Sequence, residues 1–221
     1  MTKWEKYYRN ETGLLVFLSD VLLHLPYLIS ILRVRPRMIL EAGCGPGYHS
    51  RFLGFFLPGA QFILVDKDYS VLQLAMKTLR PLKKKVIFCQ ADILNLPFKK
   101  DYFDIVISQG TLEHFSDDDL QKAIKEQIRI SRRIIFSVPS DQYWQQDFGD
   151  EKLRSTKEID SILRNIGGKI TYSIRYYRLD LGIRTKLLFY RHLRSKEYSC
   201  FKALWQSLIA SFHILVRLKS N

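Results

Sequence analysis

The run Met38-Ile39-Leu40-Glu41-Ala42-Gly43-Cys44-Gly45-Pro46-Gly47-Tyr48 decides how the chain reads. An apolar segment ends in an acid, a glycine-rich bend follows, and residues 49–57 are patterned as a helix. A buried strand that passes through a glycine turn into a helix is how doubly wound sheets bring backbone N–H groups to a nucleotide. Glycine is needed there because a Cβ would forbid positive φ and hold a ligand off the main chain. The spacing is G-x-G-x-G; in the dinucleotide fingerprint G-x-G-x-x-G the last glycine would fall at Tyr48. Alone, such a triplet suits an unliganded turn as well as a binding site, so the surrounding pattern has to decide.

Outward from the bend, strands and helices alternate. Strand one covers 38–41, and the helix after the glycines stops at Pro58-Gly59. Strand two, 61–66, ends in Asp66; a helix over 70–79 starts beside the capping oxygens of Asp68 and Ser70 and ends before Pro81. Strand three is 86–90, followed by Ala91-Asp92, and strand four is 103–108. Ser116 and an acidic first turn open a helix over 117–130, and strand five, 133–138, stops at Pro139. Strands one, two, four and five are near-continuous apolar runs, which predicts a parallel sheet covered on both faces with right-handed crossovers. Beyond strand five come a polar, aromatic loop at 141–150 and a helix at 155–165 closed by Gly167-Gly168. Residues 169–177 alternate as strand six and 212–218 read as strand seven, with a helical, basic and aromatic stretch between them. Upstream, residues 3–32 read as two helices joined near His24-Leu25-Pro26, with Trp4, Tyr7 and Tyr8 on one face.

Composition sets the bounds. A chain of 221 residues with 47% apolar content suits one domain with a real core and excludes disorder. Cys44, Cys89 and Cys200 are too scattered for a metal pair or disulfide framework, which points to a reducing, cytoplasmic setting. The formal charge is +13, and residues 151–221 carry 15 Lys/Arg against 5 Asp/Glu. Such charge is a solvated face by default and an anion-binding surface in the sharper interpretation. The apolar run 14–32 contains Asp20, His24 and Pro26. A mid-span Asp costs about 2.5–3.5 kcal/mol on insertion scales. It is therefore expected to pack on the domain, and no secretory signal is expected.

Glu41, Asp66 and Asp92 end three successive strands. The carboxyl ends of strands form the ligand crevice of a doubly wound sheet. One acid there is unremarkable, whereas three beside a glycine bend define a site. Asp66 is placed to accept from both hydroxyls of a ribose. With ILEAGCGPG at 39–47, LVD at 64–66, ADILNLPF at 91–98, FDIVISQGTLEHF at 103–115 and a strand ending in Pro139, the chain resembles a class I S-adenosylmethionine-dependent methyltransferase. It is closest to the small-molecule type with an E-x-G-x-G-x-G first motif. The likeness covers residues 38–139 and, through strands six and seven, the frame of the C-terminal part.

The resemblance implies an α/β, Rossmann-like, doubly wound seven-stranded sheet in the order 3-2-1-4-5-7-6, with strand seven antiparallel. It implies an N-terminal helical cap at 1–35, a methyltransferase domain made of 36–177 and 212–221, and a helical lid at 178–211 between strands six and seven. S-adenosyl-L-methionine would be the cofactor and S-adenosyl-L-homocysteine the product. Glu41, Gly43, Cys44, Gly45 and Gly47 would approach its methionyl part and Asp66 its ribose. Lys67 would lie along the adenosine, Asp92 and Ile93 would face the adenine, and Gln109 would sit beside the sulfonium. Trp4, Tyr8, His114, Tyr143 and Tyr190 would line the acceptor pocket, with His114 as general base and Glu113 beside it as a second catalytic candidate. A catechol-methylating subgroup holds a metal with Glu-x-x-Glu-His; Gly110 stands at the first of those positions, so no metal is expected.

The expected acceptor is a small lipophilic or acidic molecule, and an anionic membrane surface is an expected partner of the basic, aromatic lid. Ser108-Gln109-Gly110-Thr111 replaces the Pro-Pro-Tyr motif of exocyclic-amine nucleic-acid enzymes, and a Pro-Cys nucleophile is absent, which weighs against nucleic acid. Two alternatives remain open from sequence. One is an RNA or protein methyltransferase gripping its partner through the basic C-terminal part; the other is a nucleotide-binding Rossmann protein without methyl transfer.

Overall fold

The computed structural model describes residues 2–9, 13–143, 149–166, 169–178 and 211–219. The element order is α1 (Lys3–Arg9), α2 (Leu14–Leu23), α3 (Leu25–Leu32), β1 (Met38–Ala42), α4 (Tyr48–Phe56), β2 (Gln61–Asp66), α5 (Tyr69–Thr78), β3 (Val86–Gln90), β4 (Ile105–Gln109), α6 (Asp117–Ile130), β5 (Arg133–Pro139), α7 (Thr156–Arg164), β6 (Lys169–Arg178) and β7 (Ser211–Lys219). A 3-10 turn, Leu112–His114, lies between β4 and α6. The sheet runs β3-β2-β1-β4-β5-β7-β6. Its first five strands pair in parallel, and β7 pairs antiparallel with both β5 and β6. This is a Rossmann-like sheet.

The apolar runs make two cores because strand side chains alternate faces. Ile39, Phe62, Leu64, Ile105, Ile107 and Ile135 point to one side, against Tyr27, Leu28 and Ile31 of α3, Leu53 of α4, and Leu72 and Ala75 of α5. Leu40, Ile63, Val65, Val106, Ile134 and Phe136 point to the other, against Leu120, Ala123 and Ile124 of α6 and Ile159 and Leu163 of α7. The N-terminal helices therefore complete one face of the sheet, since Tyr27, Leu28 and Ile31 are fully buried.

Local chemistry sets the boundaries. The N-terminal segment forms three helices instead of the expected two. Gly13, at φ 125°, opens α2, and Pro26 sits in the first turn of α3, where its missing N–H costs nothing. Asp68 caps α5 by accepting from Ser70 N, and Ser116 caps α6 by accepting from Asp119 N. Ser155 and Glu158 form a capping box at α7. Strand four starts at Ile105, later than expected, because Phe103 makes only an isolated bridge to Ser131. The connection 179–210, and Tyr190 with it, lies outside the described residues, so the lid expected there does too. No single helix among the described residues is long and apolar enough to cross a membrane; α2 and α3 meet at 74°.

Candidate active site

The order β2-β1-β4 makes β1 the place where successive crossovers leave in opposite directions, and the carboxyl ends of β1 and β4 open a crevice there. The glycine turn floors it. Gly43 and Cys44 both donate backbone N–H to the Val65 carbonyl at 2.9 Å, and Gly47 N–H closes the bend on the Cys44 carbonyl at 2.9 Å. Gly43, Gly45 and Gly47 have φ of 70°, 51° and 74°. A Cβ on Gly43 would collide with the Thr111 side chain, whose hydroxyl contacts the carbonyls of Gly43 and Gln109 at 3.3 Å each. Thr111 thereby ties the end of β4 to the turn. A Cβ on Gly45 would come within 2.8 Å of the Tyr8 hydroxyl.

Asp66 ends β2 against this turn. Its carboxylate accepts from Gly45 N–H at 3.2 Å and Asp68 N–H at 3.0 Å. Burial pushes its pKa up, and those two N–H groups only partly offset the rise. Two N–H donors leave further lone pairs for a ligand. Lys67 and Asp92 pair with each other at 2.8 Å, Asp92 also accepts from Leu94 N–H at 3.0 Å, and Ile93 is buried beside them. The Lys67 ammonium holds the Asp92 carboxyl below its usual range. Gln109 closes β4, half-buried. Cys44 is buried, and burial raises its thiol pKa well above the ordinary value.

Glu41 lies near the end of β1, beside the turn. Its side chain is 3% exposed, accepts from the Ser50 hydroxyl, and lies 3.5 Å from His49 Nδ1. His49 Nε2 is in turn 3.0 Å from Asp20 on α2. Burial alone would lower the His49 pKa, but Asp20 and Glu41 outweigh it and push it up to about 10. Burial likewise raises Asp20, and His49 and His24 reverse this to hold it well below the ordinary value.

A second group of side chains gathers after β4. His114 Nδ1 lies 2.8 Å from Asp150 Oδ1. With Nδ1–H donating there, Nε2 keeps the lone pair a base needs. Asp150 also takes the Lys3 ammonium at 2.9 Å, and Lys3 first, then His114, hold its carboxyl below the usual range. Residues 150–154 are stitched to the 3-10 turn that carries His114. Lys152 N–H donates to the Glu113 carbonyl at 2.8 Å, and Arg154 donates to the Phe115 carbonyl at 2.7 Å and to Asp117 at 2.7 and 3.0 Å. Glu113 itself is buried, with Oε1 3.7 Å from where a Gly110 Cβ would sit. Asp150 and Arg154 were missed in the sequence because the loop around 141–150 has no periodicity; a lone Gly149-Asp150 pair was the only signal.

α1 spans both groups. Thr2, just before it, donates to Asp68; Lys3 reaches Asp150; the Trp4 ring meets the His114 ring edge-on at 5.0 Å; and Tyr8 covers Gly45. Burial first, then Tyr7 and the nearby acids, raise the Tyr8 pKa well above the ordinary phenol value, so it stays a neutral hydroxyl. Trp4, Tyr8 and His114 are thus brought together as the sequence suggested. Tyr143 is half-buried just past β5, with its N–H donating to the Ser140 carbonyl at 2.9 Å.

The arrangement fits an adenosyl sulfonium donor: a Cβ-free floor at Gly43 and Gly45, a strand-end carboxylate with lone pairs to spare, and a neutral aromatic cover over the turn. A methyltransferase-domain family model matches residues 39–133. Over 88 residues the chain is 33% identical to a malonyl-[acyl-carrier protein] O-methyltransferase of Legionella pneumophila, covering 40% of this chain and 30% of that protein. It is 30% identical over 142 residues to the Bacillus anthracis protein of the same name, covering 63% of this chain and 49% of that one. The chain thus spans half or less of the length of these curated relatives. Among solved structures, a SAM-dependent methyltransferase from Aquifex aeolicus superposes with a TM-score of 0.66 at 13% identity, covering 99% of this chain and 100% of that one. The acid-tipped strands, the glycine turn between β1 and α4, and these likenesses together make residues 39–133 a methyltransferase domain similar to those of S-adenosylmethionine-dependent methyltransferases, on a fold those enzymes share.

Proposed function

We propose that this protein transfers the methyl group of S-adenosylmethionine to an oxygen of a small lipophilic or acidic acceptor. The bound cofactor supplies an already activated sulfonium methyl. The protein's part is to hold the acceptor in line and to manage its proton. Asp66 accepts from the ribose hydroxyls, the Gly43–Gly45 backbone admits the methionyl portion, and Gln109 borders the reacting end. Alignment of this kind supplies up to ~7–11 kcal/mol in favourable cases. The observation that carries the proposal is the His114–Asp150 pair at 2.8 Å, on the same sheet edge as the glycine turn and covered by Trp4. Asp150 orients the ring, and His114 Nε2 takes the proton of a hydroxyl acceptor. For a carboxylate acceptor no proton needs removing, and the same ring donates to and positions the anion. The malonyl O-methyltransferase names of the relatives favour such an acidic oxygen acceptor, as does the +13 formal charge.

In this proposal residues 1–35 wall the acceptor side, with Tyr143 also at the pocket; the lid expected at 178–211, with Tyr190, falls almost wholly outside the described residues. The cytoplasmic side of a membrane is the proposed setting. The exposed leucines Leu14, Leu15, Leu18 and Leu22, next to a basic chain, support peripheral contact with an anionic surface. Incubating cell extracts with methyl-labelled cofactor and the protein tests the substrate class. Label in small organic-soluble acids, lipids or acyl groups carried on a protein supports it, and label confined to RNA or to amino-acid side chains refutes it. His114→Ala should cut turnover about 100-fold or more while leaving cofactor affinity intact, the span of a lost general base. Full turnover with an unchanged pH profile would remove His114 from the chemistry.

A further inference from the structure

Beside the glycine turn, three side chains that the methyl-transfer site does not use converge. Asp20 and His24 stand one helical turn apart at the end of α2, and His49 opens α4 directly after Gly47-Tyr48. One ligand atom from each lies within 4.8 Å of the other two. His24 is 2% exposed and His49 6%. We propose that Asp20, His24 and His49 form a binding site for a divalent transition metal of the Zn²⁺ type, clamping the α2–α3 corner onto the cofactor turn.

The donor set and its surroundings support this. Two imidazoles and a carboxylate are the ligands borderline divalent ions prefer. Bonds of about 2.0–2.2 Å put ligand atoms roughly 3.4 Å apart, so small side-chain rotations close the site. Both imidazoles already have partners that hold them. His24 Nδ1 lies 2.9 Å from the Asp20 carbonyl and 3.5 Å from the Asp20 carboxylate. His49 Nδ1 faces Glu41 at 3.5 Å, and Nε2 faces Asp20 at 3.0 Å. A carbonyl or a carboxylate behind each ligating histidine is the outer shell that metal sites use to set the tautomer. A water or the second Asp20 oxygen completes four-coordination.

Its test needs no cofactor. The full-length protein, stripped with chelator, is titrated with Co²⁺ and then Zn²⁺. One equivalent of Co²⁺ per chain with the visible absorption of a tetrahedral site, displaced by Zn²⁺, is expected. Zn²⁺ should raise the melting temperature of the wild type, and Glu41→Gln should weaken binding about 10–100-fold, as loss of an outer-shell partner does. His24→Gln and His49→Gln should abolish it. Wild-type protein that takes up no Co²⁺, or variants that bind as tightly as wild type, would overturn the proposal. The wild-type titration decides even if a histidine variant does not fold. Binding of S-adenosylhomocysteine to the stripped protein, measured alongside, reports on the methyltransferase site independently.

Discussion

Replacing Arg154 with methionine should destabilise the protein by about 2–4 kcal/mol and slow turnover without weakening cofactor binding. Arg154 is 6% exposed, and its guanidinium reaches both the Phe115 carbonyl at 2.7 Å and Asp117 at 2.7 Å. These bonds are not equal. The Asp117 side chain is 67% exposed, so that ion pair is worth only ~0–1 kcal/mol. The Phe115 carbonyl is different. Its charge-assisted bond is worth about 1.5–3 kcal/mol, and methionine leaves it without that donor while keeping the apolar stem in place. For a chain of this size each kcal/mol lowers the melting temperature by roughly 2–4 °C, so a fall of about 4–16 °C is expected in a thermal melt. Asp117→Asn keeps an acceptor for the guanidinium and should cost under ~1 kcal/mol. Function follows from position: Arg154 holds the segment that carries Asp150 beside His114, so the basic ring loses its orientation. If Asp117→Asn destabilised as much as Arg154→Met, the exposed ion pair, not the carbonyl bond, would be the anchor, and this reasoning would fail.

Burial raises the Asp66 pKa, so the cofactor-free protein is penalised for ionising it, and that penalty is relieved as pH falls. In the proposed complex cofactor binding runs the other way, because ribose hydroxyls would donate to the carboxylate. Affinity measured by calorimetry should be complete above the raised pKa and decline as pH falls through it, starting above the usual aspartate value of about 3.9; a decline only below that value would contradict the assignment. Asp66→Asn should weaken binding about 10–100-fold, the worth of a charged hydrogen bond. Gly43→Ala puts a Cβ at φ 70° and into Thr111, costing ~1–2 kcal/mol in backbone strain alone; an unchanged melting temperature and cofactor affinity would show that the turn relaxes freely. Liposomes containing anionic lipid should retain the protein at low salt and release it at high salt, and Leu18→Glu with Leu22→Glu should abolish retention; retention by the double variant would rule out the α2 face.

Much was legible in the residues alone. The apolar runs of β1, β2, β4 and β5 could bury themselves only in a covered parallel sheet, and the strand-end acids with the glycine bend marked the crevice, because period, length and turn chemistry are local properties. The caps at Asp68 and Ser116 were equally local. What the sequence could not determine were contacts between residues far apart in the chain. Glu41, part of the leading motif, finds buried partners in His49 and Ser50 on α4, which the motif alone does not announce. Asp150 finds His114 only because Arg154 and Lys152 lay an aperiodic loop along the turn after β4. The break of the N-terminal segment into three helices, and their packing as part of the core, likewise depended on the sheet face they cover. Such pairings are set by which surfaces meet once the chain is packed, and only the tertiary structure decides them.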